Sequence, residues 1–337
     1  MRITWTVLCA TGIALTLCIN PAYSATQASH HHRHHYKHSA SRTVTTTTTT
    51  HHRAGKHHRK NISSGLSLDG TPQLASASAL VIDQQAGNTV YQKNSDTPRP
   101  IASITKLMTA MVVLDANQSM NDMLTISDAD IDRLRNSSSR LMPGTTLSRR
   151  ELLQLSLMSS ENRATSALSR YYPGGKPACV IAMNKKARLL GMKRSGFADP
   201  TGLDGNNMAT AEDLARMVKA ADNYALIKQI TTTSSYLVDA AHRAPMEFRN
   251  TNALVKNRDS NDWRIGLSKT GFINEAGHCL VMQAQIVNRP MIIVLLNAQG
   301  KYSGVGDANR IKKWLETISY GHNNTAHSAA LVAANAS

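Results

Sequence analysis

Cysteine is scarce in this sequence of 337 residues, which contains only four. Cys9 and Cys18 lie near the N-terminus, whereas Cys179 and Cys279 lie far apart in the rest of the chain. None of them has the spacing of zinc ligands, which excludes a cysteine-based zinc site. An oxidising compartment would allow Cys179 and Cys279 to form a disulfide, but the sequence favours two buried thiols that pack as small hydrophobic side chains.

Long hydrophobic runs are also missing, except for one at the N-terminus. An apolar run from about Trp5 to Ile19 is preceded by a basic residue and followed by the small residues at 22–25. This layout is typical of a secretory signal peptide, and the run is short for a membrane span. We therefore predict that residues 1–25 are a cleaved signal peptide and that the mature protein is soluble in the periplasm. An uncleaved membrane anchor is the alternative.

Acidic residues are absent from residues 26–60, which carry seven Lys or Arg and ten of the fourteen histidines. This stretch has almost no apolar side chains, so it cannot bury enough surface to offset the entropy of ordering. We predict that residues 26–70 form a disordered tail. The tail is a solvated tether, a cationic segment attracted to anionic envelope surfaces, or a binder of Zn, Cu or Ni through imidazole. Nucleic acid is excluded as a partner because the chain is predicted to be exported.

The remaining sequence predicts an α+β fold. Residues 76–93 predict two strands joined by a turn, and residues 278–297 predict a hairpin that turns at Asn288 and Arg289. Helical patterns lie between these two regions. Strands at both ends with helices between them predict an antiparallel sheet that is built from the terminal strands and flanked by helices.

Capping patterns mark the start of two of the predicted helices. Ser148 with Glu151, and Thr210 with Asp213, have the spacing of capping boxes. A last helix is predicted over about residues 305–318. The sequence contains no internal repeat.

A lysine lies in an otherwise apolar helical stretch, IASITKLMTA at residues 101–110. Ser103 and Lys106 are three positions apart, so they share one face near the first turn of a helix predicted to run to about Asn117. A serine needs a base to become a nucleophile, and a lysine can serve if burial or a second cation keeps it neutral. Alone, however, Ser-x-x-Lys is more often a helix start with an exposed lysine.

Two further short motifs lie downstream. Ser160 and Asn162 belong to SEN, which follows a predicted helix, and KTG begins at Lys269 after a strand predicted around RIGLS. Each motif is weak alone. Ser160 lies 57 positions after Ser103, and Lys269 lies 107 positions after Asn162. In this order and spacing, SITK, SEN and KTG form the signature of the penicillin-recognising serine acyl transferases.

Other segments extend this resemblance beyond the three motifs. They are RPIASITKLMTA, SSSRL at 137–141, LMSSENRA, YYPGG, ADPTGL at 198–203, TAEDLA and LSKTGFINEAGHCLVMQ. Over about residues 75–318 the chain resembles the low-molecular-mass penicillin-binding proteins of the S11 peptidase family. Within that family it is most similar to the D-alanyl-D-alanine endopeptidase branch, the penicillin-binding protein 7 type. The resemblance implies a β-lactamase/transpeptidase-like fold with a helical subdomain, as a catalytic domain over residues 71–320 followed by a flexible tail at 321–337.

The resemblance also implies a catalytic group. Ser103 would be the acylated nucleophile, and Lys106 would be the base that takes its proton. Ser160 would relay a proton to the leaving amine. Asn162 would orient the lysine and hold the amide of the substrate.

The third motif would bind the substrate. Lys269 would supply positive potential, which helps to keep the base neutral by repulsion and attracts a substrate carboxylate. Thr270 would hydrogen-bond that carboxylate, and Gly271 would let the substrate approach the strand closely. The backbone N–H groups of Ser103 and Phe272 would form the oxyanion hole. The resemblance implies neither a metal nor a cofactor.

The implied substrate is peptidoglycan, with β-lactams as covalent inhibitors. Its D-Ala-D-Ala ends and its D-alanyl-diaminopimelate cross-links look alike locally, because each has a D-alanyl carbonyl on one side and a D-configured carbon with a free carboxylate on the other. The motifs therefore predict a D,D-peptidase. The branch resemblance favours an endopeptidase, with a D-alanyl-D-alanine carboxypeptidase as the alternative.

Three other functions are weaker alternatives. A serine β-lactamase of class A needs a glutamate for deacylation, but no Glu-x-x-Leu-Asn follows Asn162, and Glu247 lies 85 positions beyond it. A non-catalytic penicillin-sensing or wall-binding module would keep the pocket without turnover. A metal-binding protein would depend on the histidine-rich tail. The complete set of three motifs disfavours the last two.

Overall fold

The computed structural model describes residues 66–67, 70–239 and 244–334, with side chains as far as residue 319. The predicted signal peptide at 1–25 and nearly all of the predicted tail at 26–70 lie outside these ranges. Within them, no helix is long and apolar enough to cross a membrane.

The described chain has strands at both ends and helices between them, as the sequence predicts, and it also has short strands among the helices. The strands are β1 Ser76–Asp83, β2 Thr89–Lys93, β3 Arg99–Pro100, β4 Met123–Thr125, β5 Thr146–Ser148, β6 Met208–Ala209, β7 Ser235–Val238, β8 Met246–Arg249, β9 Arg264–Ile273, β10 Gly277–Ile286 and β11 Arg289–Ala298. The helices are α1 Thr105–Asp115, α2 Arg149–Met158, α3 Asn162–Arg170, α4 Gly175–Leu189, α5 Ala211–Ala221, α6 Ala225–Thr231, α7 Ala253–Lys256 and α8 Ser303–Ala334.

A five-stranded antiparallel sheet joins the two ends of the described chain, in the order β2-β1-β11-β10-β9. Its central strands are apolar on both faces because helices cover both sides. One face packs against α8, and the other packs against α1, α5 and the helices between them. β9 lies at the edge of the sheet, so the outer side of this strand has no partner strand there.

The hairpin between β10 and β11 turns one residue earlier than predicted. Ile286 pairs with Arg289, so the loop consists of Val287 and Asn288 rather than Asn288 and Arg289. Both loop residues have positive φ, +50° and +58°. Two successive positive φ angles match the twist of a tight hairpin, and the register of the apolar strands places a valine in one of these positions.

The capping predictions hold at the helix starts, with one difference. Ser148 and Glu151 form a reciprocal capping box at α2. At α5 the Thr210 side chain accepts from the N–H of Asp213, but the Asp213 carboxylate accepts from the N–H of Arg194 instead of closing the box. That carboxylate therefore ties α5 to the loop that precedes β6.

The last helix runs further than predicted, to Ala334 instead of about Ile318. The added segment is rich in alanine, the residue with the highest helix propensity. Propensity can support a helix without an apolar stripe, which is the signal that the sequence prediction used.

Candidate active site

Ser103 lies in a short 3₁₀ turn, Ala102–Ile104, that leads directly into α1. Ala102 before it has a φ of +46°, in the left-handed region that alanine rarely adopts. Backbone N–H groups in a first turn have no partner within the helix. The turn thus places Ser103 in the lining of a cleft of about 460 Å³.

Lys106 is completely buried and lies one helical turn from Ser103, as the spacing predicts. Its Nζ lies 2.8 Å from Ser103 Oγ, 2.8 Å from Asn162 Oδ1 and 2.6 Å from the carbonyl oxygen of Thr201. Two of these neighbours can only accept hydrogen bonds, whereas the serine hydroxyl can also donate. A neutral amine, with two N–H groups and one lone pair, satisfies all three contacts.

Burial lowers the pKa of Lys106 from 10.5 to about 7. The carboxylates of Asp199, Glu161 and Asp132 act in the opposite direction, so loss of solvation is the effect that prevails. The sequence prediction attributed part of this shift to repulsion from Lys269. The structure assigns it to burial, because the Lys106 side chain is completely buried and loss of solvation is the largest effect.

Ser160 and Lys269 form a second pair beside the first. Lys269 Nζ donates to Ser160 Oγ at 2.9 Å and to the carbonyl oxygen of Thr270 at 2.8 Å. Burial lowers the pKa of Lys269 well below its usual value, and the positive charge of Lys106 lowers it further. Ser160 has a φ of +61°, so its backbone also takes the left-handed conformation.

Asn162 is held in one orientation by its two neighbours. Its Oδ1 accepts from Lys106, while its Nδ2 donates to Ser137 Oγ at 2.9 Å. The N–H of Ser137 in turn donates to the carboxylate of Asp132 at 2.9 Å. The loop that contains SSSRL therefore positions the amide, a role that the sequence prediction did not give it.

The KTG motif lies inside β9 rather than after a strand, and its glycine faces the nucleophile. A Cβ added to Gly271 would lie 2.9 Å from the carbonyl oxygen of Ile101 and 3.0 Å from the nitrogen of Ser103. Only glycine allows β9 and the serine turn to approach this closely. Thr270 Oγ1 donates to Thr251 Oγ1 at 2.6 Å, on the side of the strand that faces α7.

Phe272, the last predicted site residue, lies at the cleft surface. Its side chain is 53% exposed and stacks on His278, with 4.4 Å between the ring centroids. All eight residues predicted from the motifs therefore lie around one crevice. The structure brings five of them together in two adjacent hydrogen-bonded sets, Lys106 with Ser103 and Asn162, and Lys269 with Ser160.

The loop at residues 199–203 contributes two groups that the sequence prediction missed. Thr201 supplies the carbonyl that contacts Lys106, and Gly202 packs against the serine turn. Asp199 holds this loop in shape by accepting from the N–H groups of Thr201 and Gly202 at 2.8 and 3.0 Å. The only signal in the sequence was ADPTGL, a segment of the resemblance without an assigned role.

No group of three His, Cys, Asp or Glu side chains in the described ranges could hold a metal ion. Cys179 and Cys279 are both free and buried. Burial raises the pKa of these thiols to about 12 and about 11, so neither is a thiolate at neutral pH.

This arrangement can carry out acyl transfer. A buried amine with a pKa near neutrality touches a serine hydroxyl, and a second hydroxyl lies beside a second buried amine. The edge of β9 offers backbone groups to an extended chain. Such a site can activate a nucleophile, stabilise an oxyanion and deliver a proton to a leaving group.

Comparison with known proteins also indicates a peptidase that works by acyl transfer. The D-alanyl-D-alanine carboxypeptidase model, Peptidase S11, matches residues 67–300. The chain is 49% identical to the D-alanyl-D-alanine endopeptidase of Pseudomonas aeruginosa over 246 residues, which cover 73% of this chain and 78% of that relative. It is 44% identical to the D-alanyl-D-alanine endopeptidase of Escherichia coli K12 over 247 residues, with 73% and 79% covered. The crystal structure of the Streptomyces K15 DD-transpeptidase matches with a TM-score of 0.67 at 26% identity, over 73% of this chain and 98% of that chain. The predicted fold class is thereby confirmed.

Proposed function

We infer that this chain, which belongs to the D-alanyl-D-alanine carboxypeptidase family, peptidase S11, is a serine D,D-peptidase that hydrolyses peptidoglycan cross-links. The observation that carries the proposal is the contact between the buried Lys106 amine, with its pKa of about 7, and Ser103 Oγ. Two relatives at 49% and 44% identity are named endopeptidases, which supports cleavage of the D-alanyl-diaminopimelate bond over release of a terminal D-alanine.

In the first half-reaction Lys106, as the neutral amine, takes the proton of Ser103 while Oγ attacks the D-alanyl carbonyl carbon. The N–H groups of Ser103 and Phe272 would stabilise the oxyanion. The C–N bond then breaks, and the leaving amine receives a proton through Ser160. The product is an ester between Ser103 and the donor peptide, and the reverse sequence with water releases a free carboxylate.

Thr270 and Lys269 would bind the free carboxylate next to the bond that is cleaved. In the free site, burial and the nearby Lys106 lower the pKa of Lys269. A bound carboxylate would favour the protonated form, since an opposite charge at short distance raises the pKa of an amine. Substrate binding and protonation of Lys269 would therefore be linked.

A serine β-lactamase is disfavoured by the position of Glu247. This residue lies on β8, where its carboxylate accepts from Arg249 at 3.0 Å. It is not among the residues that line the cleft of Ser103. Without a carboxylate to activate water, the acyl-enzyme formed with penicillin would be long-lived.

Chromatography of muropeptides tests the proposal. We expect the protein to convert purified cross-linked dimers into monomers, and we expect penicillin to block this conversion. A monomeric pentapeptide is digested in parallel, and loss of its terminal D-alanine measures carboxypeptidase activity. Release of D-alanine with intact dimers would establish a carboxypeptidase instead, and unchanged peptides in both digests would favour a non-catalytic module.

The pKa of Lys106 predicts how acylation depends on pH. The amine acts as a base only when it is neutral, so the rate should rise as pH rises through about 7. Between pH 6 and pH 8 the neutral fraction grows from about a tenth to about nine tenths, and the acylation rate should grow by a similar factor. Stopped-flow labelling with a fluorescent penicillin measures this rate, with circular dichroism to verify that the fold is intact. A rate that is flat or falls over this range would contradict the assignment of Lys106 as the base.

We also propose that the protein works in the periplasm, and that its cationic segment at 26–60 draws it towards anionic envelope surfaces. These residues lie outside the described ranges, and the support is their composition. Release of the enzyme from envelopes by salt, compared with a variant lacking the segment, would measure this attraction.

A further inference from the structure

The cleft that contains Ser103 continues past Thr270, between α7 and the chain at the start of α8. Thr270 contacts Thr251, which lies just before α7. One wall of this extension is formed by Thr251, Ala253 and Lys256, and the other by Lys301, Tyr302 and Gly304. The extension therefore opens directly from the residue that would hold the substrate carboxylate.

The start of α8 lies beside Thr270 because of the register of the sheet. Leu280 on β10 pairs directly with Thr270 on β9. A Cβ added to Gly304 would lie 3.6 Å from the Cβ of Leu280. The start of α8 therefore lies close over the sheet beside Thr270, where Gly304 borders the cleft.

The two candidate substrates differ in what they would place in this space. The carboxylate at Thr270 belongs to the leaving group. When the leaving group is D-alanine, only a methyl group extends beyond its carboxylate-bearing carbon. When it is a cross-linked diaminopimelate, a hydrocarbon chain and the rest of an acceptor stem peptide follow, and that peptide carries further carboxylates.

The walls of the extension match the second leaving group. Lys256 and Lys301 are both exposed, and neither forms an ion pair with a described acidic side chain. Tyr302 is 68% exposed, and Lys301 Nζ lies 5.6 Å from the centroid of its ring. Two cations and an exposed ring thus surround the path of an anionic chain with a hydrocarbon portion.

We propose that Lys256 and Lys301 bind carboxylates of the acceptor stem peptide, and that Tyr302 packs against the hydrocarbon chain of its diaminopimelate. The inference rests on the proposed peptidase function and concerns the leaving groups that the site prefers. It gives this chain a structural basis for endopeptidase specificity. The three motifs do not provide one, because they contact only the groups next to the cleaved bond.

The test compares a cross-linked muropeptide dimer with a monomeric pentapeptide. In a Lys256→Ala/Lys301→Ala variant we expect the KM for the dimer to rise about five- to twentyfold, the size expected for two partly exposed ion pairs. The ratio of kcat/KM for the dimer to kcat/KM for the pentapeptide should fall by the same factor. Lys313→Ala is the matched control, because Lys313 is exposed on α8 and does not line the cleft.

A change in the substrate provides an independent arm. A dimer whose acceptor-stem carboxylates are amidated, except for the one next to the cleaved bond, should be cleaved by the wild type as poorly as the ordinary dimer is cleaved by the double variant. The two losses should not add when they are combined, because both remove the same interaction.

The outcomes separate this inference from the proposed function. If the wild type cleaves the dimer but the double variant leaves the ratio unchanged, the assignment of Lys256 and Lys301 is wrong and the peptidase function stands. If the amidated dimer loses activity additively with the lysine substitutions, the lysines do not bind those carboxylates. If the wild type cleaves neither substrate and takes no penicillin label, the proposed function fails as well.

Discussion

Ser103→Ala abolishes covalent labelling by penicillin and lowers peptidase turnover by at least about 10⁴-fold, if the serine is the nucleophile. The substitution removes the only oxygen that Lys106 Nζ contacts in the serine turn, at 2.8 Å. It leaves the backbone N–H groups of the cleft in place, so the variant should still bind penicillin reversibly. Gel fluorescence with a labelled penicillin reads the covalent step, and muropeptide chromatography reads turnover.

The matched control is Ser138→Ala. Ser138 is exposed on the loop before β5 and does not line the cleft of Ser103. This control should label and turn over like the wild type. Covalent labelling of Ser103→Ala at a wild-type rate would mean that another residue is acylated, and the proposed mechanism would be wrong.

Gly202→Ala should have the second largest effect, although Gly202 bears no functional group. An added Cβ would lie 2.0 Å from the carbonyl oxygen of Ala102 and 2.8 Å from the nitrogen of Ser103. Both contacts are with backbone atoms, so the serine turn must shift. The φ of +83° at Gly202 adds strain for any side chain. A displacement of about 1 Å at a nucleophile costs about 100-fold in rate, so we expect the acylation rate to fall at least that much.

Gly205→Ala, three positions further along the chain, is the control for this experiment. A Cβ at Gly205 would have Arg135 Nη2 as its nearest neighbour, 3.9 Å away. This variant should acylate at close to the wild-type rate and keep the wild-type melting temperature. Gly202→Ala should melt at a lower temperature, because the strain and the contact persist in the folded state. Near wild-type acylation of Gly202→Ala would show that the serine turn does not depend on this contact.

The local patterns of the sequence predicted most of the architecture. Alternating apolar residues and turn residues located β1, β2, β10 and β11, because these signals are contained in a few consecutive positions. The three-residue spacing of Ser103 and Lys106 predicted their contact for the same reason. The order of the three motifs then indicated which distant segments meet, and the structure brings those segments together.

The parts that the sequence could not predict depend on long-range packing. The carbonyl of Thr201, which contacts Lys106, lies 95 positions away and belongs to the backbone, so no side-chain pattern marks it. The predicted cause of the pKa shift at Lys106 was also incomplete, because the burial of this side chain depends on how the segments around it pack. The hairpin turn after Ile286 was displaced by one residue, since strand register and not turn propensity determined it.

The left-handed backbones of Ala102 and Ser160 have a consequence for the evolution of this enzyme. Each residue occupies a conformation that costs on the order of 1 kcal/mol or more for a side chain other than hydrogen. Favourable interactions in the rest of the domain must offset this cost in folding free energy. Selection for thermal tolerance alone would favour relaxation at these two positions, and the protein would then be more stable but would position its two serine hydroxyls less accurately.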